Sequence, residues 1–316
     1  RLVGSEMCIR DRARGGPLRG LLRHGSHQLA VGIARLGGAA GPAPRLGPMR
    51  FVIDDPTDPR LDDIRDLKHA DKSGEGFVFG EGPLCVERLL ASRFPVRCII
   101  GFEAKLDTFL ANHDVGDIPV YQVTRQTLGE VTGFDMHRGL VAAADRAEAW
   151  TVDEVLEGAR TLAIMEGVGD HENIGSLFRN AAGMDVDGIL LGSGAADPLY
   201  RRSVRVSMGH VLRLPWARFD GGFTTWQRGL EKLREQGFRL VSLTPHPDAV
   251  HIADALEGAD KVALLVGAEG PGLTEHAMRA TDVRARIPMS EGTDSLNVAT
   301  SAAIAFYERQ RSQRFR

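Results

Sequence analysis

Six short runs between residues 161 and 287 constrain this chain most. They are Thr161 to Met165, Gly188 to Leu191, Val211 to Leu214, Phe238 to Leu243, Val262 to Val266 and Val283 to Ile287. Each is apolar on successive rather than alternate positions, the pattern of strands buried on both faces of a parallel sheet. Helix-like segments lie between and after them, including Phe223 to Gln236 and the Ala-rich stretch Asn297 to Arg309. Ligands on such sheets sit beyond the carboxyl ends of the strands. The loops after Met165, Val266 and Ile287 are therefore the places to look for chemistry.

A smaller α/β unit precedes this one. Phe77 to Phe79, Arg97 to Ile100 and Val120 to Val123 read as strands, and Gly82 to Ser92 and Glu103 to Ala111 as helices. Gly139 to Ala144 closes the unit. The polar stretch Asp145 to Asp153 is the boundary, giving one domain over 49–145 and a second over 146–316. Residues 1–48 carry eight arginines against only Glu6 and Asp11, a surplus of six positive charges; with −3 overall, the rest of the chain bears −9. This Arg-, Gly- and Pro-rich leader is expected to lie outside the fold. Arg1 to Arg12 resembles a translated adapter, Met49 reads as the natural start, and a transit peptide or a genuine tail are the alternatives.

The negative balance excludes a globally basic nucleic-acid binder but leaves room for local basic patches. No run approaches the roughly 20 apolar residues of a membrane-spanning helix. Three cysteines without CxxC spacing argue against a disulfide framework or a structural zinc site and suit a reducing compartment such as the cytoplasm. No membrane association and no metal are expected.

The first loop runs from Glu166 into Asn173-Ile-Gly175-Ser-Leu-Phe-Arg179 and on to Gly183. Ile174, Leu177, Phe178, Ala181 and Ala182 form one apolar helical stripe. Gly175, Arg179 and Gly183 form another row, in which small neighbours leave space for an arginine suited to phosphate. Asn173 suits the N-cap. Spacing alone equally permits a surface arginine. In the second loop, Val262 to Leu273, a strand enters the turn Gly267-Ala-Glu269-Gly270-Pro-Gly272, after which Thr274 can cap a helix. Its glycines fit neither GxGxxG nor the P-loop, and Glu269 reads as a loop-locking carboxylate before it reads as a base. The third loop, Ile287-Pro-Met289-Ser-Glu-Gly292-Thr-Asp-Ser295-Leu296-Asn297-Val, leads into the Ala-rich helix, with Ser295 or Asn297 as its cap. The small residues of that helix admit close approach by another helix or by a partner subunit.

Together these loops resemble the SpoU (TrmH-type) branch of the SPOUT RNA methyltransferases, over roughly Leu162 to Glu308. Asn173-x-Gly175-x-x-x-Arg179-x-Ala181, Leu265-Val-Gly267-x-Glu269-x-x-Gly272 and Ile287-Pro-Met-x-x-Gly292-x-x-Ser295-Leu-Asn297-Val are similar to its three motifs, in order. Arg202 to Pro215 resembles the intervening segment. The front unit resembles a ribosomal-protein-like substrate-binding domain, through Gly82-Pro-Leu-x-Val-Glu87-x-Leu-Leu and His137-Arg138-Gly139-Leu-Val-Ala142.

The resemblance implies a C-terminal α/β SPOUT domain whose parallel sheet carries a deep trefoil knot, and a homodimer whose subunits complete each other's active site. It implies methyl transfer from S-adenosyl-methionine to a ribose 2′-hydroxyl of ribosomal or transfer RNA. Arg179, Asn173, Glu269, Ser295 and Asn297 would be the catalytic positions. Leu265, Gly267, Glu269, Gly270, Ile287, Met289 and Leu296 would hold the cofactor. RNA contacts are expected from Arg201, Arg202, Arg205, Arg213 and Arg218, in a stretch (198–218) without an acid, and from Arg309, Arg311, Arg314 and Arg316. The alternative is a catalytically silent RNA-binding protein that keeps the fold. A nucleotide-dependent oxidoreductase is disfavoured by the missing GxGxxG.

Overall fold

The structure, a computed structural model, describes residues 49–68, 76–293 and 295–314. The expectations for the leader, Cys8 and Arg316 fall outside these residues.

Two sheets organise the described chain. The first has five strands: β1 (Arg50–Val52), β2 (Phe77–Glu81), β3 (Val96–Gly101), β4 (Val120–Gln122) and β5 (Leu140–Asp145), in the order β1-β4-β3-β5-β2. It is mixed: β4 pairs in parallel with β1 and β3, while β5 runs antiparallel to β3 and β2. Helices α1 (Pro83–Leu90), α2 (Glu103–Leu110) and α3 (Arg125–Thr132) connect its strands. Pro83 opens α1, where its missing N–H costs nothing. Thr124 caps α3, accepting from the Thr127 backbone N–H, and Gly133 ends it in the left-handed conformation.

After α4 (Val152–Leu156) the chain builds β6 (Thr161–Met165), α5 (His171–Gly183), β7 (Gly188–Leu191), α6 (Arg201–Val206), β8 (Trp216–Arg218), α7 (Leu230–Glu235) and β9 (Phe238–Leu243). It continues with β10 (Val250–His251), α8 (Ile252–Leu256), β11 (Lys261–Val266), α9 (Glu275–Arg279), β12 (Val283–Arg286) and α10 (Val298–Arg314). The second sheet has the order β10-β12-β9-β11-β6-β7-β8, and every pairing is parallel. All of β6 and β7 and most of β11 are buried, which explains their unbroken apolar runs.

The strand expected at Val211 to Leu214 is absent. Met208 and Gly209 take left-handed backbone conformations (φ 56° and 84°) and turn the chain into a 3-10 segment, His210–Leu212. Val211 and Leu212 are buried there as a turn, and the strand starts only after Pro215. The long helix expected over Phe223 to Gln236 is a 3-10 turn, Trp226–Gly229, leading into the short α7.

The two sheets share one apolar cluster. Val78, Val86 and Leu89 from the front join Val204, Val211 and Leu212 from the second half. Polar contacts reinforce the junction. Glu81, only 4% exposed, accepts from Arg201 Nη1 at 2.9 Å and lies 3.8 Å from Arg205 Nη1. Arg88 Nη1 donates to the Met208 carbonyl at 2.6 Å. Cys85 and Cys98 are buried free thiols, the latter pushed up to about 12 by burial.

α10 docks its Ala-rich face inward. Ala302, Ala305 and Phe306 are fully buried, and Asn180 of α5 donates to the Ala299 carbonyl. Its Arg309, expected to touch RNA, is 1% exposed. It donates to the carbonyls of Ala259 and Asp260, both at 2.7 Å, and to Thr161 Oγ1 at 3.1 Å. A guanidinium can be buried when carbonyl oxygens satisfy its donors, so Arg309 pins α10 to the sheet and is closed to ligands.

Candidate active site

A cavity of about 520 Å³ opens at the carboxyl ends of β9, β11 and β12. Leu243 to Pro245 form one wall and Val266 to Leu273 another, and Ile287, Met289 and residues 295–298 are among the remaining lining. Of the expected cofactor residues, Gly267, Glu269, Gly270, Ile287, Met289 and Leu296 line it. Leu265 does not: it is fully buried behind the wall, its backbone in register with Ser242 of β9 and Ile164 of β6. Sequence patterning gives no hint of the Leu243 to Pro245 wall, because the end of β9 carries no motif.

The glycines of the second loop have separate physical reasons. A Cβ on Gly267 would lie 2.1 Å from the Leu273 backbone N and 2.2 Å from the Gly272 carbonyl carbon. No side chain fits where the loop folds back on its own start. Gly270 and Gly272 take positive φ, at 86° and 71°. The Gly272 N–H closes the turn onto the Ala268 carbonyl at 3.0 Å.

Glu166, directly after β6, anchors this loop and is a positioning residue for the cavity wall that the motifs do not single out. It is 2% exposed. It accepts from Trp226 Nε1 at 2.8 Å, from Thr274 Oγ1 at 2.9 Å and from the Thr274 backbone N–H at 2.8 Å. Thr274 in turn caps α9 through the Ala277 N–H, as its sequence context suggests. A carboxylate directly after a fully apolar strand is the available signal, since buried charge is retained only where it is fully bonded.

Asn297 ties the motifs together. Its Oδ1 caps α10, accepting from the backbone N–H of Ala299 (2.9 Å) and Thr300 (3.2 Å). Its Nδ2 donates to Glu269 Oε1 at 2.7 Å and to Asn173 Oδ1 at 2.9 Å. Asn173 is therefore not the cap of α5. Asp170 is, accepting from the Glu172 and Asn173 N–H groups at 2.8 and 2.9 Å. That starts the helix earlier and leaves the Asn173 side chain inside its first turn, aimed at Asn297. Ser295 lines the cavity and is exposed.

Arg179 stands apart. It is exposed, outside the cavity lining, and makes no hydrogen bond or ion pair with the described residues. Gly175 does not clear space for it: a Cβ there would lie 2.8 Å from the Ser203 carbonyl oxygen and from Val206 Cβ, so its small size serves the packing of α5 on α6. Arg179 belongs instead to a positive cluster. Burial, then Arg88, Arg213 and Arg179 in decreasing order, push the His210 imidazole down to about 4. Among the described residues, no group of three or more His, Cys, Asp or Glu side chains is arranged to hold a metal ion.

This geometry agrees with what the chain is similar to. The model of the SpoU rRNA Methylase family matches residues 160–307. An uncharacterized tRNA/rRNA methyltransferase of Mycobacterium tuberculosis is 51% identical over 265 residues, covering 82% of this chain and 91% of that protein. The chain belongs to the SpoU family of RNA methyltransferases. A Mycobacterium leprae tRNA/rRNA methyltransferase is 28% identical over 206 residues, 64% of each chain. Two solved structures share the fold. The AdoMet-bound rRNA methyltransferase of Sinorhizobium meliloti aligns with TM-score 0.69 at 24% identity, over 83% of this chain and 98% of that one. The SpoU methyltransferase AviRb of Streptomyces viridochromogenes, in complex with AdoMet, aligns with TM-score 0.67 at 22% identity, over 82% and 98%. For this SpoU protein, no described helix is long and apolar enough to cross a membrane.

Proposed function

We propose that this SpoU protein transfers the methyl group of S-adenosyl-methionine to a ribose 2′-hydroxyl of ribosomal or transfer RNA, in the cytoplasm. The observation that carries the reading is the cavity itself. Its size lies within the roughly 300–1,000 Å³ of small-molecule sites. Leu243, Ile287, Met289 and Leu296 offer apolar walls for an adenine, and the glycine-rich turn Gly267–Gly272 offers backbone groups on the same cavity wall. When bound, the cofactor supplies a methyl already activated by its sulfonium. The protein's groups must align the acceptor oxygen and handle its proton.

Asn297, Glu269 and Asn173 form a bonded network at the cavity edge, with Ser295 beside it. This fixed array can orient the acceptor ribose without reorganising during the reaction. Arg179 is assigned the phosphate next to that ribose and the negative charge growing on the 2′-oxygen. A guanidinium stays protonated, so it stabilises the alkoxide rather than removing the proton. The separation of Arg179 from the cavity within one chain supports a homodimer in which each subunit supplies part of the other's site. Ile304 and Tyr307, exposed on α10 at 37% and 55%, offer that dimer an apolar contact. The family likeness further supports a trefoil knot in the C-terminal segment, with the chain divided functionally into an RNA-choosing front domain (49–145) and a methyltransferase domain (146–316).

Methyl-labelled S-adenosyl-methionine, offered with separated ribosomal and transfer RNA and followed by nucleoside analysis, tests this reading. A labelled 2′-O-methylnucleoside in one pool is expected. Label on a base would overturn the ribose assignment. Cofactor binding with no label in either pool would favour the catalytically silent RNA-binding protein.

A further inference from the structure

Most arginines between residues 198 and 218 are already engaged. Arg201 and Arg205 face Glu81, Arg202 donates to Glu172, and Arg218 donates to the carbonyls of Gly192 and Ala195. Arg213 and Arg179 differ: both are exposed, and neither side chain bonds to a described residue. They converge with two further groups. The 3-10 turn carrying His210 packs on α5, which bears Arg179, and on α1, which bears Arg88. Arg88 lies across Gly209, whose Cβ position is 3.2 Å from Arg88 Cβ and Cδ, and its Nη1 is held by the Met208 carbonyl. That bond uses one of the five N–H donors of Arg88.

We propose that Arg88, Arg179, His210 and Arg213 form a seat for a phosphodiester of the RNA substrate, so that the front domain supplies a binding residue, Arg88, directly beside the motif arginine. This rests on the RNA-methylation reading and deepens it. The charge pattern supports the geometry. Burial and then Arg213 lower the Arg88 pKa, with Arg179 also opposing its charge. Cys85 and Glu87 act the other way, and Glu87 is exposed and lies 3.8 Å from His113. No carboxylate acts on His210, which stays neutral near pH 7 and offers one ring N–H. The three guanidiniums repel one another, and a phosphate monoanion among them offsets that repulsion with charge-assisted bonds. Because the seat is built around Arg179, it accompanies that residue to whichever cavity the arginine serves.

The test is filter binding of end-labelled bulk transfer RNA and ribosomal RNA fragments across a salt series, with full-length wild type, Arg88→Gln, Arg213→Gln and Arg88→Lys. Cofactor affinity and melting temperature are measured in parallel. Each Gln variant is expected to weaken RNA binding roughly tenfold and to reduce the slope of log K against log salt by about 0.7 to 0.9. Arg88→Lys should restore most of the slope, which a purely structural role at Met208 would not do. Lys232→Gln, paired with Asp153 on α7, should behave as wild type. Unchanged slopes in Arg88→Gln and Arg213→Gln overturn the seat, as does an equal loss in Lys232→Gln. Reduced slopes in those variants, alongside a wild type that methylates neither RNA pool, uphold the seat and remove the methylation reading.

Discussion

The cavity at the strand ends and the arginine cluster are opposites in how their polar groups are committed. At the cavity, Asn297, Glu269 and Asn173 bond to one another, Glu166 and Thr274 hold the loop from beneath, and Gly267 sits where no side chain fits. At the cluster, Arg179 and Arg213 bond to nothing described, and His210 is kept neutral by burial and its cationic neighbours. The first region is preorganised for a ligand that one chain can shape alone. The second is poised for a ligand whose charge is missing from the protein. Groups that align a reaction work best when they are already held in place, whereas groups that recruit a polyanion work best when left unneutralised.

Substituting Gly267 should break the first side of this contrast most completely. In Gly267→Ala the new Cβ would overlap the Leu273 nitrogen and the Gly272 carbonyl, so the loop must open. We expect cofactor binding to fall below detection by calorimetry and stability to drop by about 2–4 kcal/mol. Cofactor affinity near wild type would mean the turn is not the binding wall. Arg179→Ala probes the other side. It should lower methyl transfer by about 10²–10³-fold while cofactor affinity stays unchanged, because Arg179 is not part of the lining of its own chain's cavity. Near-normal turnover would remove Arg179 from the mechanism.

Asn297 allows a finer cut, because its two side-chain atoms do different work. Asn297→Asp keeps the oxygen that caps α10 but replaces the donor to Glu269 and Asn173 with a second acceptor. Asn297→Ala loses both. The Ala variant should lose about 1 kcal/mol for the cap, read as a melting temperature lower by about 2–4 °C. The Asp variant should melt near wild type yet methylate roughly tenfold more slowly. Equal melting losses in the two variants would show that the donor, not the cap, holds α10 in place.

The same contrast explains what the sequence could disclose. β6 and β7 match their runs residue for residue because continuous burial leaves a nearly unbroken apolar pattern, and β9 keeps its expected bounds although Arg239 and Leu243 are only half-buried. Val211 to Leu214 misled because a buried turn and a buried strand share that pattern; only the left-handed Met208–Gly209 step separates them, and it is not written in hydrophobicity. Motif residues were legible as types, but their partners were not. Asn173 reads equally well as a cap or a site residue until Asp170 takes the cap. Arg309 and Arg213 are the same residue in composition, yet one closes four backbone and hydroxyl acceptors inside the fold and the other faces solvent. Which arginines remain for RNA is decided by tertiary acceptors, and a linear charge count cannot see them.

The smallest predicted effect lies in the pH dependence of stability, and it reports on the cluster alone. His210 titrates at about 4 in the folded protein, below its ordinary 6.5, because burial and the Arg88, Arg213 and Arg179 charges all disfavour the imidazolium. Between those values the unfolded chain binds a proton that the folded chain does not. Linkage then requires stability to fall as pH drops from about 6.5 toward 4, and this contribution is constant above and below that window. His210→Gln, which cannot take up the proton, should flatten this part of the denaturation profile while leaving the plateau near pH 7.5 within about 0.5 kcal/mol. RNA should act in the same direction on the wild type, since a phosphate in the cluster offsets the three cations and lifts the imidazole toward its ordinary value. The His210 ring resonance, followed by NMR with and without bound RNA, separates the causes. A titration midpoint that RNA leaves at about 4 would place the phosphate elsewhere.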